Sequence, residues 1–162
     1  MSDLPRPVTV SVVSHGQWKL VAPLLEQLSA CCASHIDKLV LTINKPEDID
    51  GLSSLQLGFE LTTIVNAQPL GFGANHNRAF VHCATPWFLV LNPDIRLDAD
   101  VLGAMLSQAQ AGAGLVSPRI REPGHDARKG ARIRVPVLHQ RRVVHRQHLP
   151  VVQLPAVHDL RA

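Results

Sequence analysis

The sequence predicts an α/β protein built on a mainly parallel sheet, and three observations carry that prediction. Short runs of apolar and β-branched residues recur along the chain, longer stretches with helical spacing lie between them, and the fourth run, Trp87-Phe88-Leu89-Val90-Leu91, stops abruptly at Asn92-Pro93-Asp94. Continuous apolar runs are the pattern of strands covered on both faces, as in parallel sheets. Strands alternating with helices of ten or more residues indicate βαβ units.

Pro7 to Ser14 (PVTVSVVS) reads as the first strand, closed by His15-Gly16. From Trp18 to Cys32 the apolar residues Leu20, Val21, Leu24, Leu25 and Leu28 recur at helical intervals. Lys38 to Asn44 (KLVLTIN) is the second strand, and Pro46-Glu47-Asp48 has the composition of a helix start, with Pro in the first turn and acids at the positive end of the dipole. Glu60 to Val65 is the third strand, Asn66 to Gly73 a loop, and Ala74 to Cys83 a helix. After the fourth strand, Asp98 or Asp100 is placed to cap a helix running to about Gln110, and Leu115-Val116-Ser117 is a short fifth strand. From Pro118 the periodicity fails. Pro136, Pro150 and Pro155 interrupt short apolar pairs, and the segment reads as irregular, with a short strand around Ile133 to Leu138.

Length, charge and cysteine usage narrow the class. A chain of 162 residues is one domain with room for a real core. Hydrophobic content of 46% and a mean hydropathy of +0.08 are those of an ordinary globular protein, and no apolar stretch approaches the ~20 residues of a membrane-spanning helix. The opening residues lack the basic stretch and apolar core of a signal peptide, so the expected location is the cytoplasm. Cys31, Cys32 and Cys83 form no metal or disulfide spacing and read as small core residues. Residues 1–117 hold six Lys/Arg against ten Asp/Glu, whereas residues 118–162 hold ten against three. Beyond Ser117 there is no Ser, Thr or Asn, and five of the nine His lie between His125 and His158. Such a change of alphabet marks a boundary, dividing the chain into a core over 7–122 and a basic tail over 123–162.

Ligands in open α/β sheets bind beyond the carboxyl ends of the strands, which is where Asp94 falls. The plainer reading of Asn92-Pro93-Asp94 is a turn, for which all three residues are suited. The second informative stretch is Pro69 to Arg78 (PLGFGANHNR), where Gly71 and Gly73 let the backbone approach a ligand just before a helix, and Arg78 can pair with phosphate. His76 stands where a dinucleotide-binding G-x-G-x-x-G would need its third Gly, and no phosphate-binding G-x-x-x-x-G-K-[ST] occurs. In a parallel sheet the loops after strands one, three and four share an edge, so their polar groups converge.

Taken together, SVVSHG, PLGFGANHNRAF and WFLVLNPDIRLDADVL followed by GLVSPRI resemble the N-terminal half of family-2 glycosyltransferases with the GT-A fold, especially rhamnosyltransferase-like members, over roughly residues 7–122. The resemblance implies a Rossmann-like nucleotide-sugar-binding core, a nucleotide-diphosphate sugar as donor, a saccharide or lipid-linked acceptor in cell-envelope glycan synthesis, and a divalent cation, Mg²⁺ or Mn²⁺, bridging the diphosphate. It places Asn92 at the first position of the family's D-x-D motif and Asp94 at the metal position. It sets Ser14, His15 and Gly16 against the nucleotide, with Gly71, Gly73, Asn75, Asn77 and Arg78 helping to hold base, ribose or phosphates. Hard oxygen ligands suit Mg²⁺ or Mn²⁺ and not Zn²⁺, and a cation neutralises the charge that grows on a diphosphate leaving group.

Two departures from the family matter. Where members carry a base-reading Asp after the second strand, this chain has Asn44. The general base that an inverting transfer needs belongs to a C-terminal half, and only Glu122, Asp126 and Asp159 follow the fifth strand, none in a matching context. No catalytic residue is therefore assigned, and the alternative is a truncated, non-catalytic fragment that binds through its tail. The tail itself has the composition of a shifted reading frame, or of a basic segment contacting the inner face of a membrane peripherally. No aromatic residues interleave its Arg, so no nucleic-acid partner is expected. His145-x-x-His148 lacks a third ligand and reads as solvated. A nucleotidyltransferase ranks last, because no basic triphosphate loop follows strand one.

Overall fold

The computed structural model describes residues 5–109, 115–117 and 137–140. The elements are β1 (Val8–Ser14), α1 (Trp18–Cys32), β2 (Ile36–Ile43), a 3₁₀ turn (Leu52–Ser54), β3 (Glu60–Val65), α2 (Phe72–Phe80), β4 (Trp87–Leu91), α3 (Val101–Gln108), β5 (Leu115–Val116) and β6 (Val137–Gln140). They form one sheet in the order β3-β2-β1-β4-β6-β5. The first four strands are parallel, while β6 runs antiparallel to both β4 and β5. The short strand expected around 133–138 is represented by β6; residues 133–136 and the rest of the tail lie outside the described residues.

Alternation along β1 explains the layering. Val8, Val10 and Val12 face one side, where they join Leu24, Leu25 and Leu28 of α1, Leu39 and Leu41 of β2, Leu89 and Leu91 of β4, and Leu102 and Met105 of α3 in the main core. On the opposite side Ala79 of α2 packs with Val40, Cys83 and Phe88, and Phe80 meets Phe88 edge to face at 5.1 Å. Cys32 and Cys83 are buried, and Cys31 packs against the main core. Helices thus cover both faces of a central parallel sheet.

The helix expected from Pro46 does not form. The acids that suggested it serve other elements: Glu47 Oε1 accepts from the Gly16 amide (3.3 Å) and Oε2 from the Trp18 amide (2.9 Å), so Glu47 caps α1 from a remote loop. Asp48 Oδ1 accepts from the Asp50 amide (3.1 Å), and the Trp18 indole donates to the Asp50 carbonyl (2.9 Å). Gln17, the residue at the N-cap position, supplies no side-chain bond, which leaves the role to Glu47. Gly16 has φ +75°, a conformation that glycine adopts freely and that turns the chain from β1 into α1.

Of the two candidate caps for α3, Asp100 is the one used. Its Oδ1 accepts from the Gly103 amide (2.8 Å), and its Oδ2 lies 2.8 Å from His35 Nε2. Partial desolvation pushes the Asp100 carboxyl up, but hydrogen bonds from Gly103, His35 and Cys32 together outweigh it and hold the group below the ordinary aspartate value. His35 and His82, expected on helix surfaces, occupy the turns that follow α1 and α2. Helix α2 begins two residues earlier than the spacing predicts, so Phe72 and Gly73 belong to its first turn.

On the α2 side, β1 presents polar groups that must be satisfied internally. Thr9 Oγ1 lies 2.8 Å from Thr85 Oγ1, and Ser11 Oγ lies 2.8 Å from His76 Nδ1. His76 is 1% exposed, and its Nε2 has no partner among the described residues.

Two measurements check this account. Burial lowers the His76 pKa from 6.5 to about 4, so between those values the unfolded chain takes up a proton that the folded protein refuses. Stability should therefore fall as pH drops through that window, by on the order of 3 kcal/mol in full. Urea unfolding at several pH values should show this slope in the native protein and a flatter one in His76→Leu. Glu47→Ala, which removes both caps of α1, should lower stability by about 1 kcal/mol, read as a lower urea midpoint at unchanged m value.

Candidate functional site

Strand order reverses beside β1: the chain moves outward through β2 and β3, then returns to place β4 on the other flank of β1. The crevice at the carboxyl ends of the strands at such a reversal is where open α/β sheets bind ligands. Here it is a cavity of about 310 Å³. His15 and Gln17 line it from the loop after β1, Asn44 from the end of β2, Leu70, Phe72, Asn75 and His76 from the loop after β3 and α2, and Asn92, Pro93 and Asp94 from the end of β4.

The Asn92-Pro93-Asp94 segment is a turn and a cavity wall at once. The Ile95 amide donates to the Asn92 carbonyl (3.4 Å) and the Arg96 guanidinium to the Pro93 carbonyl (3.1 Å), which fixes the backbone. The Asp94 side chain is exposed and makes no hydrogen bond or ion pair among the described residues. It is the one carboxylate among the cavity-lining residues, and no Lys or Arg lines the cavity with it.

Behind the wall lies a buried network of amides. Asn44 Oδ1 accepts from the Leu70 amide and from Asn66 Nδ2, both at 2.8 Å. Asn44 Nδ2 bonds to the Leu70 carbonyl (3.0 Å) and to His15 Nδ1 (2.8 Å). Asn66 Nδ2 also donates to Asn75 Oδ1 (2.7 Å), Asn75 Nδ2 donates to the Leu70 carbonyl (3.1 Å), and the Arg78 guanidinium donates to Asn66 Oδ1. Asn44, Asn66 and Asn75 are all buried, whereas His15 is exposed on the cavity wall.

The structure therefore brings together His15, Asn44, Asn75, Asn92 and Asp94 from the residues the sequence singles out. Ser14 is buried below the cavity: its Oγ accepts from the Gln17 amide (3.3 Å) and its carbonyl from the Asn44 amide (2.8 Å), tying the first two loops together. Gly71, Gly73, Asn77 and Arg78 do not line the cavity. Gly71 has φ −67° and ψ 162°, accessible to any residue, and serves as the N-cap position of α2. Asn66 was not singled out from the sequence. Its signal is positional: Asn44 and Asn66 each directly follow a strand, and adjacent parallel strands bring their ends side by side.

A divalent cation suits this wall only in one form. No group of three His, Cys, Asp or Glu able to enclose a metal occurs among the described residues, so no all-protein cage exists there. One free carboxylate is the complement of a cation whose remaining ligands are phosphate oxygens and water, the usual situation for Mg²⁺. The amides at the start of α1, otherwise a natural anion site, are already taken by Glu47.

No family model and no curated protein matches the chain. Solved structures do. A mannosyltransferase from Pyrobaculum calidifontis, in complex with GDP-Man and Mn²⁺, superposes with a TM-score of 0.57 at 18% identity, over 67% of this chain and 34% of that one. Residues 1–349 of TarS from S. aureus give 0.54 at 15% identity, over 62% and 31%. HddC from Yersinia pseudotuberculosis gives 0.51 at 18% identity, over 66% and 56%. The chain thus spans from about a third to just over half the length of these neighbours. At such identities the likeness is one of fold, and the fold of this chain is a Rossmann-like α/β core of the kind found in the mannosyltransferase.

Proposed function

We propose that this chain is the donor-binding part of a GT-A glycosyltransferase, holding a nucleotide-diphosphate sugar in the cavity between the ends of β1 and β4. The observation that carries the reading is Asp94, a free carboxylate at the end of a central strand, in a cavity without a basic side chain. A diphosphate beside that carboxylate is repelled unless a cation stands between them, and Asp94, with Asn92 beside it, would hold Mg²⁺ or Mn²⁺ against the diphosphate oxygens. Bound there, the cation would neutralise the charge that develops on the departing nucleoside diphosphate. The turn through Pro93 fixes the carboxylate, and His15, with the buried amides behind it, forms the opposite wall. Support also comes from the fold and from the mannosyltransferase, which was solved with GDP-Man and Mn²⁺.

The described residues offer the cavity no second carboxylate to deprotonate an acceptor hydroxyl. That observation favours donor binding over complete transfer by this segment alone, so the saccharide or lipid-linked acceptor and its base belong elsewhere in a working enzyme. Rhamnosyl or another hexosyl group is the sugar that the family resemblance implies. The basic tail is assigned to peripheral contact with the inner face of a membrane.

Calorimetric titration tests the donor site. Binding of nucleoside diphosphates should require Mn²⁺ or Mg²⁺, and Asp94→Ala should weaken metal-dependent binding by about tenfold or more, a loss of roughly 1.4 kcal/mol, with the circular dichroism spectrum unchanged. Binding that survives Asp94→Ala undiminished overturns the metal role. Turnover assays with donor and mixed acceptors should show no sugar transfer by this chain alone.

A further inference from the structure

We propose that the buried amides of Asn66 and Asn44 form a relay of fixed polarity that makes His15 an obligate Nε2–H donor in the cavity, so that His15 selects a ligand presenting an acceptor oxygen. The ligand half of this inference rests on the donor-binding reading; the relay does not.

Polarity enters the network from two independent anchors. A guanidinium can only donate, so the Arg78 bond requires that the oxygen of Asn66 faces it and that Asn66 Nδ2 points at Asn44 Oδ1 and Asn75 Oδ1. The Leu70 backbone is the second anchor. Its N–H can only donate and it reaches Asn44 Oδ1 at 2.8 Å, while its carbonyl can only accept and takes Asn44 Nδ2 at 3.0 Å and Asn75 Nδ2 at 3.1 Å. Both anchors give the same orientation for Asn44. Its remaining amide proton then faces His15 Nδ1 at 2.8 Å, so Nδ1 is the acceptor and the neutral imidazole carries its proton on Nε2.

Two consequences follow. Asn44 has two donors and two acceptor positions, and all four are used inside the protein. It lines the cavity as a positioning residue, with no amide capacity left to read a ligand. His15 is the exposed end of the relay, and the group it offers from Nε2 is a donor. The complementary chemistry is an acceptor oxygen, either a base carbonyl or a phosphate oxygen of a nucleotide.

Nitrogen-15 NMR of the imidazoles in the free, full-length protein reads the relay directly. His15 should show a protonated Nε2 and an unprotonated Nδ1; the reverse overturns the proposal without any variant being made. In Asn44→Asp the group facing Nδ1 only accepts, and the tautomer should switch to Nδ1–H; a folded variant that keeps Nε2–H overturns the role of Asn44. For the ligand, Mn²⁺-loaded protein is titrated with UDP and GDP, with inorganic pyrophosphate, and with uridine and guanosine. His15→Leu should weaken binding by about tenfold, and His15→Gln, which restores an N–H donor, should recover most of it. A loss confined to the nucleoside-containing ligands identifies a base carbonyl, and an equal loss with pyrophosphate identifies a phosphate oxygen. No loss in His15→Leu, or an equal loss in Leu and Gln, overturns the donor role. If the unmodified protein binds none of these ligands, the donor-binding reading fails while the NMR result still decides the relay.

Discussion

Because β1 is hydrogen-bonded along both edges and covered by helices on both faces, every polar side chain it carries has to find its partner inside the protein. That constraint organises the α2 side of the sheet. Thr9 takes Thr85, Ser11 takes His76, and Ser14 takes the amide of Gln17. Each pairing pins a different segment to the central strand: the approach to β4, the helix α2, and the loop that starts α1. An unmade hydrogen bond at any of them would cost more than a surface bond is worth, since the group left behind stays buried. The polar residues of β1 thus specify where its neighbours sit, while its valines supply the apolar burial.

The cavity inherits its character from this arrangement. Its back wall is rigid because the amides of Asn44, Asn66 and Asn75 satisfy one another and the Leu70 backbone. Its front, by contrast, carries groups with unused capacity: the Asp94 carboxylate, and the exposed ring of Phe72 at the rim, which meets His76 edge to face at 4.3 Å. A satisfied back and an unsatisfied front are what preorganised binding requires, since a ligand then orders few side chains as it enters.

Much of the fold was legible in the residues, for a specific reason. Strands β3 and β4 follow their apolar runs to the residue, because a strand covered on both faces leaves little choice of boundary. The convergence of the loops after β1, β3 and β4 also followed from parallel pairing alone. What local reading missed were side chains recruited over long distances. Pro46-Glu47-Asp48 has every local mark of a helix start, yet Glu47 is drawn to the amides of Gly16 and Trp18, some thirty residues away. Arg78 lies in a Gly-rich, anion-binding context, yet its guanidinium is used on Asn66. Asn66 looked like ordinary loop composition, and its importance emerges only when β2 and β3 lie side by side. Local chemistry states what a residue is able to do; topology decides which partner reaches it.

The bond from Glu47 to the start of α1 gives the connection between β2 and β3 a mechanical role. Residues 44–51 act as a brace: one end is fixed by Asn44 to the amide network, and the middle is fixed by Glu47 to the turn that carries His15. Surface connections usually tolerate insertion at little thermodynamic cost. A brace does not, because lengthening it by one or two residues would move the Glu47 carboxylate out of reach, free the His15-Gly16 turn, and alter the cavity from a segment whose chain path runs outside it. Related sequences should therefore vary freely in the composition of this connection while holding its length between Asn44 and Glu47.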